Sequence, residues 1–190
     1  MIKLMVFLGN PGIKYKLTRH NYGWRLLDAI DWIPDTGWQK KFKGQYTQIQ
    51  SKGGKIVILK PETFMNKSGE SVGAAAAFFK IKPEEVLVVH DDIEMPFGGW
   101  ALKKGGGLGG HNGLKSMSSA MGTKDYFRLR LGVGRPKRGD VASFVLGRFS
   151  PHEENWIKDL LQKGDSILYS LINNNPENLS DDLKSGQFNT

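Results

Sequence analysis

The sequence predicts a single α/β domain in which a twisted mixed β-sheet carries helices on both faces. Two observations predict this fold class. Short apolar runs bounded by glycine, proline or polar residues alternate along the chain with segments of helical periodicity. The length of 190 residues also falls within the range of one domain. Because no internal repeat or shift of composition marks a second domain, residues 1–190 are expected to fold as one unit.

The first strand and helix are predicted from the opening of the chain. Residues 2–8 form a continuous apolar run, which is typical of a strand buried in a parallel or mixed sheet. Glycine and proline in the segment 9–12 then end the strand in a turn. Thr18 is expected to cap the helix that follows, and this helix is predicted to end before Pro34.

The middle of the chain predicts a hairpin, a second helix and another buried strand. Residues 46–50 and 55–60 flank a Gly-Gly pair, which is a two-residue turn signal between antiparallel strands. Ser68 is expected to cap an alanine-rich helix, and residues 85–90 form a further short apolar run. These strands together favour a mixed sheet.

The last third predicts a glycine-rich loop, a strand and a long helix. Residues 105–110 lead into a short helix, and residues 127–134 alternate apolar and basic side chains, as in a strand with one solvated face. A helix is expected over residues 153–172. The polar tail 173–190 is expected to fray.

Composition narrows the classes of function. The chain has no cysteine, which excludes disulfides and thiolate catalysis and suits the reducing cytoplasm, where we expect the protein to act. The first apolar run, about seven residues long, is too short for a signal peptide or a membrane span, so no membrane partner is expected. The composition predicts an ordinary globular protein of the cytoplasm.

The net charge of +8 comes from one segment. Residues 101–148 hold ten basic side chains against two acidic ones, and the rest of the chain is balanced. A basic segment in a neutral chain is typical of a surface that binds phosphate, although a solvated surface that only aids solubility has the same composition.

Two common motifs match formally but lack their usual context. The sequence GESVG around Ser71, followed by Asp91 and His111, has the order of an α/β-hydrolase triad, but the polar loop PETFMNKS separates Ser71 from the preceding strand. The dinucleotide pattern at residues 105–110 follows a short basic segment instead of a hydrophobic strand. Its glycines instead favour anion binding by backbone amides ahead of a helix.

Histidines and carboxylates supply better candidates for catalysis. His90, Asp91 and Asp92 are consecutive at a strand end, so Asp91 faces away from its neighbours and a shared metal site is not expected. Asp91 is suited to orient a histidine, or simply to cap a turn. His20 is predicted in the first turn of a helix, where the dipole would lower its pKa below about 6.5 and leave an imidazole that accepts a proton from water. Plain solvent exposure is the alternative for His20.

Five ordered motifs carry a resemblance to a known family. They read LGNPGIKYKLTRHNYG, KPETFMNKSG, HDDIEMP, GGGLGGHNGLKS and RLRLGVGRP, and they extend from residue 1 to about residue 150. In this order and at these spacings the chain resembles the bacterial-type peptidyl-tRNA hydrolases. The resemblance implies hydrolysis of the ester between the C-terminal carboxyl of a peptide and the terminal ribose of tRNA. It also favours a monomer. No metal or other cofactor is expected.

The resemblance also implies roles for individual residues. His20 would be the catalytic base, held by Asp91, and Asn10 would distinguish an acylated amino group from a free one. Asn66 and Asn112 would bind the substrate near the scissile ester.

Contacts to tRNA are implied in the same way. Tyr15 and Phe64 match positions that bind the 3′ CCA end, and Lys103 and Arg130 match positions that bind phosphates of the acceptor stem. Ala101 departs from the family pattern, which often has a basic residue there. A non-catalytic RNA-binding member of the same fold, recruited to assist intron splicing, is the alternative function.

Overall fold

The structure is a computed structural model that describes residues 1–136 and 138–189. Over these ranges the chain forms one eight-stranded mixed sheet with helices on both faces, so the predicted fold class is confirmed. The strands are β1 (Leu4–Phe7), β2 (Gln39–Lys41), β3 (Gly44–Ser51), β4 (Gly54–Pro61), β5 (Val86–Asp92), β6 (Gly99–Lys104), β7 (Phe127–Gly132) and β8 (Ser185–Gln187). The helices are α1 (Tyr22–Leu27), α2 (Ser68–Phe79), α3 (Asn112–Met121), α4 (Val141–Val145), α5 (Pro151–Asn173) and α6 (Asp181–Lys184).

The centre of the sheet is parallel and its margins are antiparallel. The strand order is β2-β3-β4-β1-β5-β7-β6-β8. β1 pairs in parallel with β4 and β5, and β5 pairs in parallel with β7. The carboxyl ends of β1 and β5 therefore meet at one edge, where α/β sheets commonly bind ligands.

The two faces of the sheet bury separate clusters of apolar side chains. Phe7 and Val89 face the side on which α1 and α5 pack, and Val6 and Val88 face the side of α2 and α3. This alternation is the period of two expected for a strand buried on both faces. Loops at the strand ends can therefore bring together side chains from both layers.

Three details of the fold differ from the prediction. The hairpin pairs Ser51 with Gly54, so its turn residues are Lys52 and Gly53. β6 lacks the apolar run of a buried strand and was not predicted. β7 does not have a solvated face, since Arg128 is buried and donates hydrogen bonds to backbone carbonyls of the glycine-rich loop.

The polar tail also differs from the prediction. Over residues 174–189 it forms a 3-10 turn, α6 and β8 where fraying was expected. β8 pairs with β6, and the ring centroids of Phe188 and Trp100 lie 5.4 Å apart. Within the described ranges, no helix has the length and apolarity needed to cross a bilayer.

Candidate active site

The candidate site is a cleft of about 840 Å³ at the carboxyl edge of β1 and β5. Seven of the nine predicted site residues line it, and Lys103 and Arg130 do not. The seven lining residues are Asn10, Tyr15, His20, Phe64, Asn66, Asp91 and Asn112. An apolar wall formed by α4 completes the cleft opposite these polar groups.

His20 reaches the cleft from a 3-10 turn that precedes α1. Thr18 donates its hydroxyl to the Tyr15 carbonyl oxygen at 2.8 Å and does not cap a helix, so the predicted cap is wrong. The turn Arg19–Asn21 follows, and α1 begins only at Tyr22. His20 is therefore held by tertiary contacts, not by the first turn of an α-helix.

A glycine lets this turn approach the sheet. A Cβ atom on Gly23 would lie 2.7 Å from the Leu8 carbonyl oxygen and 2.8 Å from that of Val89. Only glycine permits α1 to pack this closely over the ends of β1 and β5. The close packing places His20 beside the end of β5.

His20 and Asp91 form a buried pair. The Nδ1 atom of His20 lies 2.9 and 3.0 Å from the two carboxylate oxygens of Asp91. Since an ionised carboxylate only accepts hydrogen bonds, Nδ1 carries the proton and donates it, which leaves Nε2 as the unprotonated nitrogen. The pair has the geometry of a base and the group that orients it.

The electrostatics of this pair correct the predicted pKa of His20. Burial alone would lower its pKa, but the charge of Asp91 and the hydrogen bond to it raise the pKa above the usual value. Burial would likewise raise the pKa of Asp91, but His20 and His111 hold it well below its usual range. The prediction of a lowered pKa for His20 was wrong because the neighbouring charge, not a helix dipole, decides the shift.

His111 is a further residue of the site, and the sequence did not predict it there. Its Nδ1 atom accepts hydrogen bonds from the backbone N–H groups of Gly113 and Leu114 and so caps α3. This fixes the proton on Nε2, which donates to an Asp91 oxygen at 3.1 Å. Asp91 therefore accepts hydrogen bonds from histidines that belong to opposite layers of the sheet. A histidine directly before a predicted helix start was the signal in the sequence.

Consecutive side chains at the end of β5 alternate as predicted. Asp91 faces His20, and Asp92 accepts a hydrogen bond from Arg130 at 2.6 Å. Burial lowers the pKa of His90 to about 3, with His111 contributing, and its Nδ1 donates to the Asp91 carbonyl oxygen. His90 is therefore neutral at physiological pH.

Asn10 is held in a network of buried amides. Asn21 accepts a hydrogen bond from the backbone N–H of Asn10 at 2.8 Å and donates one to its carbonyl oxygen at 3.0 Å. The side-chain oxygen of Asn10 accepts a hydrogen bond from the backbone N–H of Met65 at 2.8 Å. The network connects the turn that carries His20 with the turn Met65–Lys67, which carries Asn66.

The remaining predicted residues of the cleft are more exposed. Asn66 and Asn112 are exposed at the starts of their helical turns. Tyr15 and Phe64 pack edge to face, with ring centroids 6.4 Å apart, and Phe64 is 54% exposed. The cleft is thus lined by exposed amide groups and by a pair of aromatic rings in addition to the histidine.

Lys103 and Arg130 lie outside the cleft on one face of the sheet. Ala101 is opposite Arg130 in the β6–β7 register and Lys103 is opposite Arg128, so these four residues share a face. Arg130 is paired with Asp92, whereas Lys103 is exposed. One cation of the basic segment, Arg128, is buried and so is not available to a phosphate. Lys137 lies outside the described residues.

The two rival motifs do not form sites. Ser71 is completely buried within α2 and is absent from the cleft lining. The glycine-rich loop follows the antiparallel strand β6, and His111 already occupies the amides at the start of α3. Neither a serine nucleophile nor the predicted anion site at this helix is therefore supported.

One cluster has donor atoms suited to a metal ion. The ligand atoms of His20, Asp91 and His111 lie within 4.8 Å of one another. Both histidines use the nitrogen that faces Asp91 for a hydrogen bond to it. A metal ion bound here would therefore displace the two protons that these ring nitrogens donate to Asp91.

Comparison with known proteins gives a consistent result. A family model described as peptidyl-tRNA hydrolase matches residues 4–189. A peptidyl-tRNA hydrolase from Geotalea uraniireducens is 45% identical over 172 residues, which cover 90% of each chain. One from Neisseria meningitidis is 47% identical over 165 residues, covering 85% of this chain and 86% of the relative.

Solved structures of peptidyl-tRNA hydrolases have the same fold as this chain. A crystal structure of peptidyl-tRNA hydrolase from Acinetobacter baumannii superimposes with a TM-score of 0.78 at 35% identity, covering 90% of this chain and 88% of that one. A complex of peptidyl-tRNA hydrolase with n-propanol gives a TM-score of 0.81 at the same identity and the same coverage.

Proposed function

The chain belongs to the peptidyl-tRNA hydrolase family, and we propose that it hydrolyses peptidyl-tRNA with a water molecule activated by His20. The observation that carries the mechanism is the His20–Asp91 pair, in which Nδ1 donates to the carboxylate and Nε2 is free to accept a proton from water. An ester to ribose is an activated acyl group, so water attacks it directly without a serine or cysteine intermediate.

Asp91 acts on the charge that forms during the reaction. When Nε2 takes the proton, His20 becomes an imidazolium, which the adjacent carboxylate stabilises. A general base of this kind typically contributes 10²- to 10⁴-fold to the rate. His111 keeps the carboxylate in place from the other layer of the sheet.

Asn66 and Asn112 supply neutral hydrogen-bond donors to the oxygen that becomes negative as water attacks the ester. Losing one such donor typically costs about 3 kcal/mol of transition-state stabilisation. Neutral amides suit this site because a nearby lysine would oppose formation of the imidazolium. Asn10 contributes to substrate selection by contacting the acylated amino end of the last residue.

The tRNA is bound by two separate groups of residues. The exposed ring of Phe64 and the half-buried ring of Tyr15 provide aromatic surface on which the bases of the 3′ CCA end stack. Lys103 and Arg130 contact phosphates of the acceptor stem, which carry no sequence information and so suit an enzyme that processes many tRNAs. In this proposal the enzyme is a cytoplasmic monomer, and the chemistry needs no metal ion.

The proposal is tested with His20→Ala. The variant is expected to lose hydrolysis of N-acetyl-aminoacyl-tRNA by at least about a hundredfold, because the base is gone, while tRNA binding is unchanged. Release of the labelled N-acetylated amino acid and a filter-binding assay measure the two properties. Ser71→Ala is the matched control outside the cleft and should keep full activity. Hydrolysis that survives His20→Ala would refute the mechanism.

A non-catalytic RNA-binding function is not supported, since the relatives are named as hydrolases. The catalytic residues implied by the family resemblance are all present in the cleft.

A further inference from the structure

We propose that Asn21 is a positioning residue for substrate selection, which holds Asn10 so that its carboxamide turns N–H groups toward the acyl group of the substrate. The inference rests on the proposed function, because it assumes that Asn10 contacts the acylated amino end.

The polarity of both amides follows from their backbone partners. A backbone N–H only donates and a backbone carbonyl only accepts, so the two bonds between Asn21 and the Asn10 backbone fix which atom of the Asn21 amide is nitrogen. The same reasoning fixes Asn10, whose side-chain oxygen must face the Met65 N–H. The nitrogen of the Asn10 carboxamide is therefore the atom left for the cleft.

This orientation determines what Asn10 recognises. Its N–H groups donate to an acceptor, and the acyl carbonyl oxygen of a peptidyl or N-acetyl group is such an acceptor. A free amino terminus is an ammonium group near neutral pH, which only donates and carries a positive charge. The N–H groups of Asn10 and of this ammonium would then face each other in the cleft without an acceptor between them. Binding of aminoacyl-tRNA is therefore disfavoured.

Asn21 is suited to hold this arrangement. It is completely buried, and its two hydrogen bonds fix both the N–H and the carbonyl of Asn10. Asn21 also follows His20 directly in the turn Arg19–Asn21. A single turn therefore sets the positions of His20, the base, and of Asn10, which selects the substrate. This arrangement places the acyl group correctly relative to the attacking water.

The experiment compares kcat/KM for N-acetyl-aminoacyl-tRNA with kcat/KM for the same aminoacyl-tRNA carrying a free amino group. In Asn21→Ala the Asn10 backbone loses both restraints, so we expect the ratio of the two values to fall by about tenfold or more. Asn10→Ala is expected to lower the same ratio. The double variant should fall no further than Asn10→Ala alone, since Asn21 acts only through Asn10.

Asn21→Asp separates selection from packing. The aspartate keeps the volume of the side chain and the acceptor for the Asn10 N–H, but it places an oxygen against the Asn10 carbonyl. We expect the ratio to fall in this variant too, so the test remains available if Asn21→Ala does not fold. Leu168→Ala, a buried truncation in α5 away from the cleft, is the control for lost stability and should leave the ratio unchanged.

The outcomes distinguish the inference from the proposed function. A ratio that falls in Asn10→Ala but not in the Asn21 variants overturns the role of Asn21 and leaves that of Asn10 intact. Equal losses for both substrates in the Asn21 variants mean a merely structural residue and also overturn the inference. If Asn10→Ala leaves the ratio unchanged, the selection role proposed for Asn10 fails together with the inference, whereas His20→Ala still tests the hydrolytic mechanism.

Discussion

At the scale of single residues, the site depends on one carboxylate shared by two imidazoles. Asp91 accepts hydrogen bonds from His20 and His111, and both histidines have a fixed tautomer because their partners have fixed polarity. In the proposed mechanism the neutral form of His20 is the active one, since only an unprotonated Nε2 accepts a proton from water. We therefore expect the protonation of His20 to control the rate of hydrolysis.

The pH dependence of hydrolysis is expected to reflect the pKa of His20, which Asp91 raises. The pKa of His20 is raised above 6.5, so activity should fall as the pH drops through a value higher than 6.5. Asp91→Asn removes the charge that raises this pKa and leaves the burial that lowers it, so the acid limb should move below 6.5. The rate above the limb should fall by about 10²- to 10⁴-fold. Profiles of kcat/KM against pH for both proteins provide the measurement, and an unmoved limb would contradict the assignment.

His111 has two functions that substitution can separate. His111→Asn keeps a good N-cap for α3 but does not reach Asp91, so hydrolysis should fall about tenfold with little change in Tm. His111→Ala should lose both functions and destabilise the fold by about a further 1 kcal/mol. Thermal unfolding and initial rates distinguish the two variants. Equal unfolding temperatures would argue against the cap, and wild-type rates in both would argue against the contact with Asp91.

The sequence predicted which residues line the cleft better than it predicted the contacts between them. The residues that line the cleft were predicted from the resemblance of five ordered motifs to a known family, and each of these motifs has an unusual order of polar side chains. The contact between His111 and Asp91 was not predicted, since it requires knowing that the start of α3 and the end of β5 meet at one edge. The direction of the His20 pKa shift was wrong for a different reason: a helix dipole was expected to decide it, whereas His20 lies in a 3-10 turn and the charge of Asp91 raises its pKa.

At the scale of elements, the 3-10 turn before α1 contains both His20 and Asn21 and positions them at the cleft. Arg19 anchors this turn by donating to the Arg148 carbonyl and to the Glu153 carboxylate at the start of α5. The cation of Arg19 also lies 4.2 Å from the Phe144 ring centroid in α4. The turn is thus fixed to the helices on one side and to the sheet on the other.

Gly23→Ala tests how closely α1 must approach the sheet. The added methyl group would contact two carbonyl oxygens at less than 3 Å, so α1 must move away and the His20–Asp91 bond must lengthen. We expect a destabilisation of about 1–3 kcal/mol and a loss of hydrolysis larger than the loss of folded protein. Gly107→Ala is the matched control, because open space surrounds a Cβ atom there. Full activity in Gly23→Ala would show that this packing is not required.

The elements that were missed share a physical cause. β6 and β8 are short, polar or glycine-containing, and they form because neighbouring strands supply partners for them. Arg128 gave β7 the pattern of a half-solvated strand, but this side chain is buried and its two terminal nitrogens donate hydrogen bonds to loop carbonyls. Tertiary partners of this kind are not visible in local periodicity.

At the scale of the whole molecule, the excess positive charge is divided between faces of the sheet. Lys103 and Lys104 are consecutive on β6 and therefore point to opposite faces. Lys103 shares its face with Arg130, whereas the ammonium of Lys104 lies 5.5 Å from the Phe127 ring centroid. Only the first of these faces matches the proposed acceptor-stem contact.

Binding of tRNA is expected to weaken steeply with salt. Each phosphate contact contributes about 0.7 to 0.9 to the slope of log affinity against log salt concentration. Lys103→Ala should reduce this slope by about 1, and Lys104→Ala, which changes the net charge equally, should reduce it less. Titrations at several salt concentrations measure the slopes. A flat dependence in the wild type, or identical slopes in the two variants, would contradict the proposed surface.

The distribution of the site along the chain has a consequence for its own synthesis. Asn10, His20 and Asp91 precede His111 and Asn112, and no subset of them forms the complete cleft. While the ribosome makes this protein, the growing polypeptide is itself joined to tRNA by the ester that the finished enzyme cleaves. A nascent chain shorter than 112 residues lacks part of the proposed active centre, so early in translation it should be unable to cleave the ester that joins it to its own tRNA.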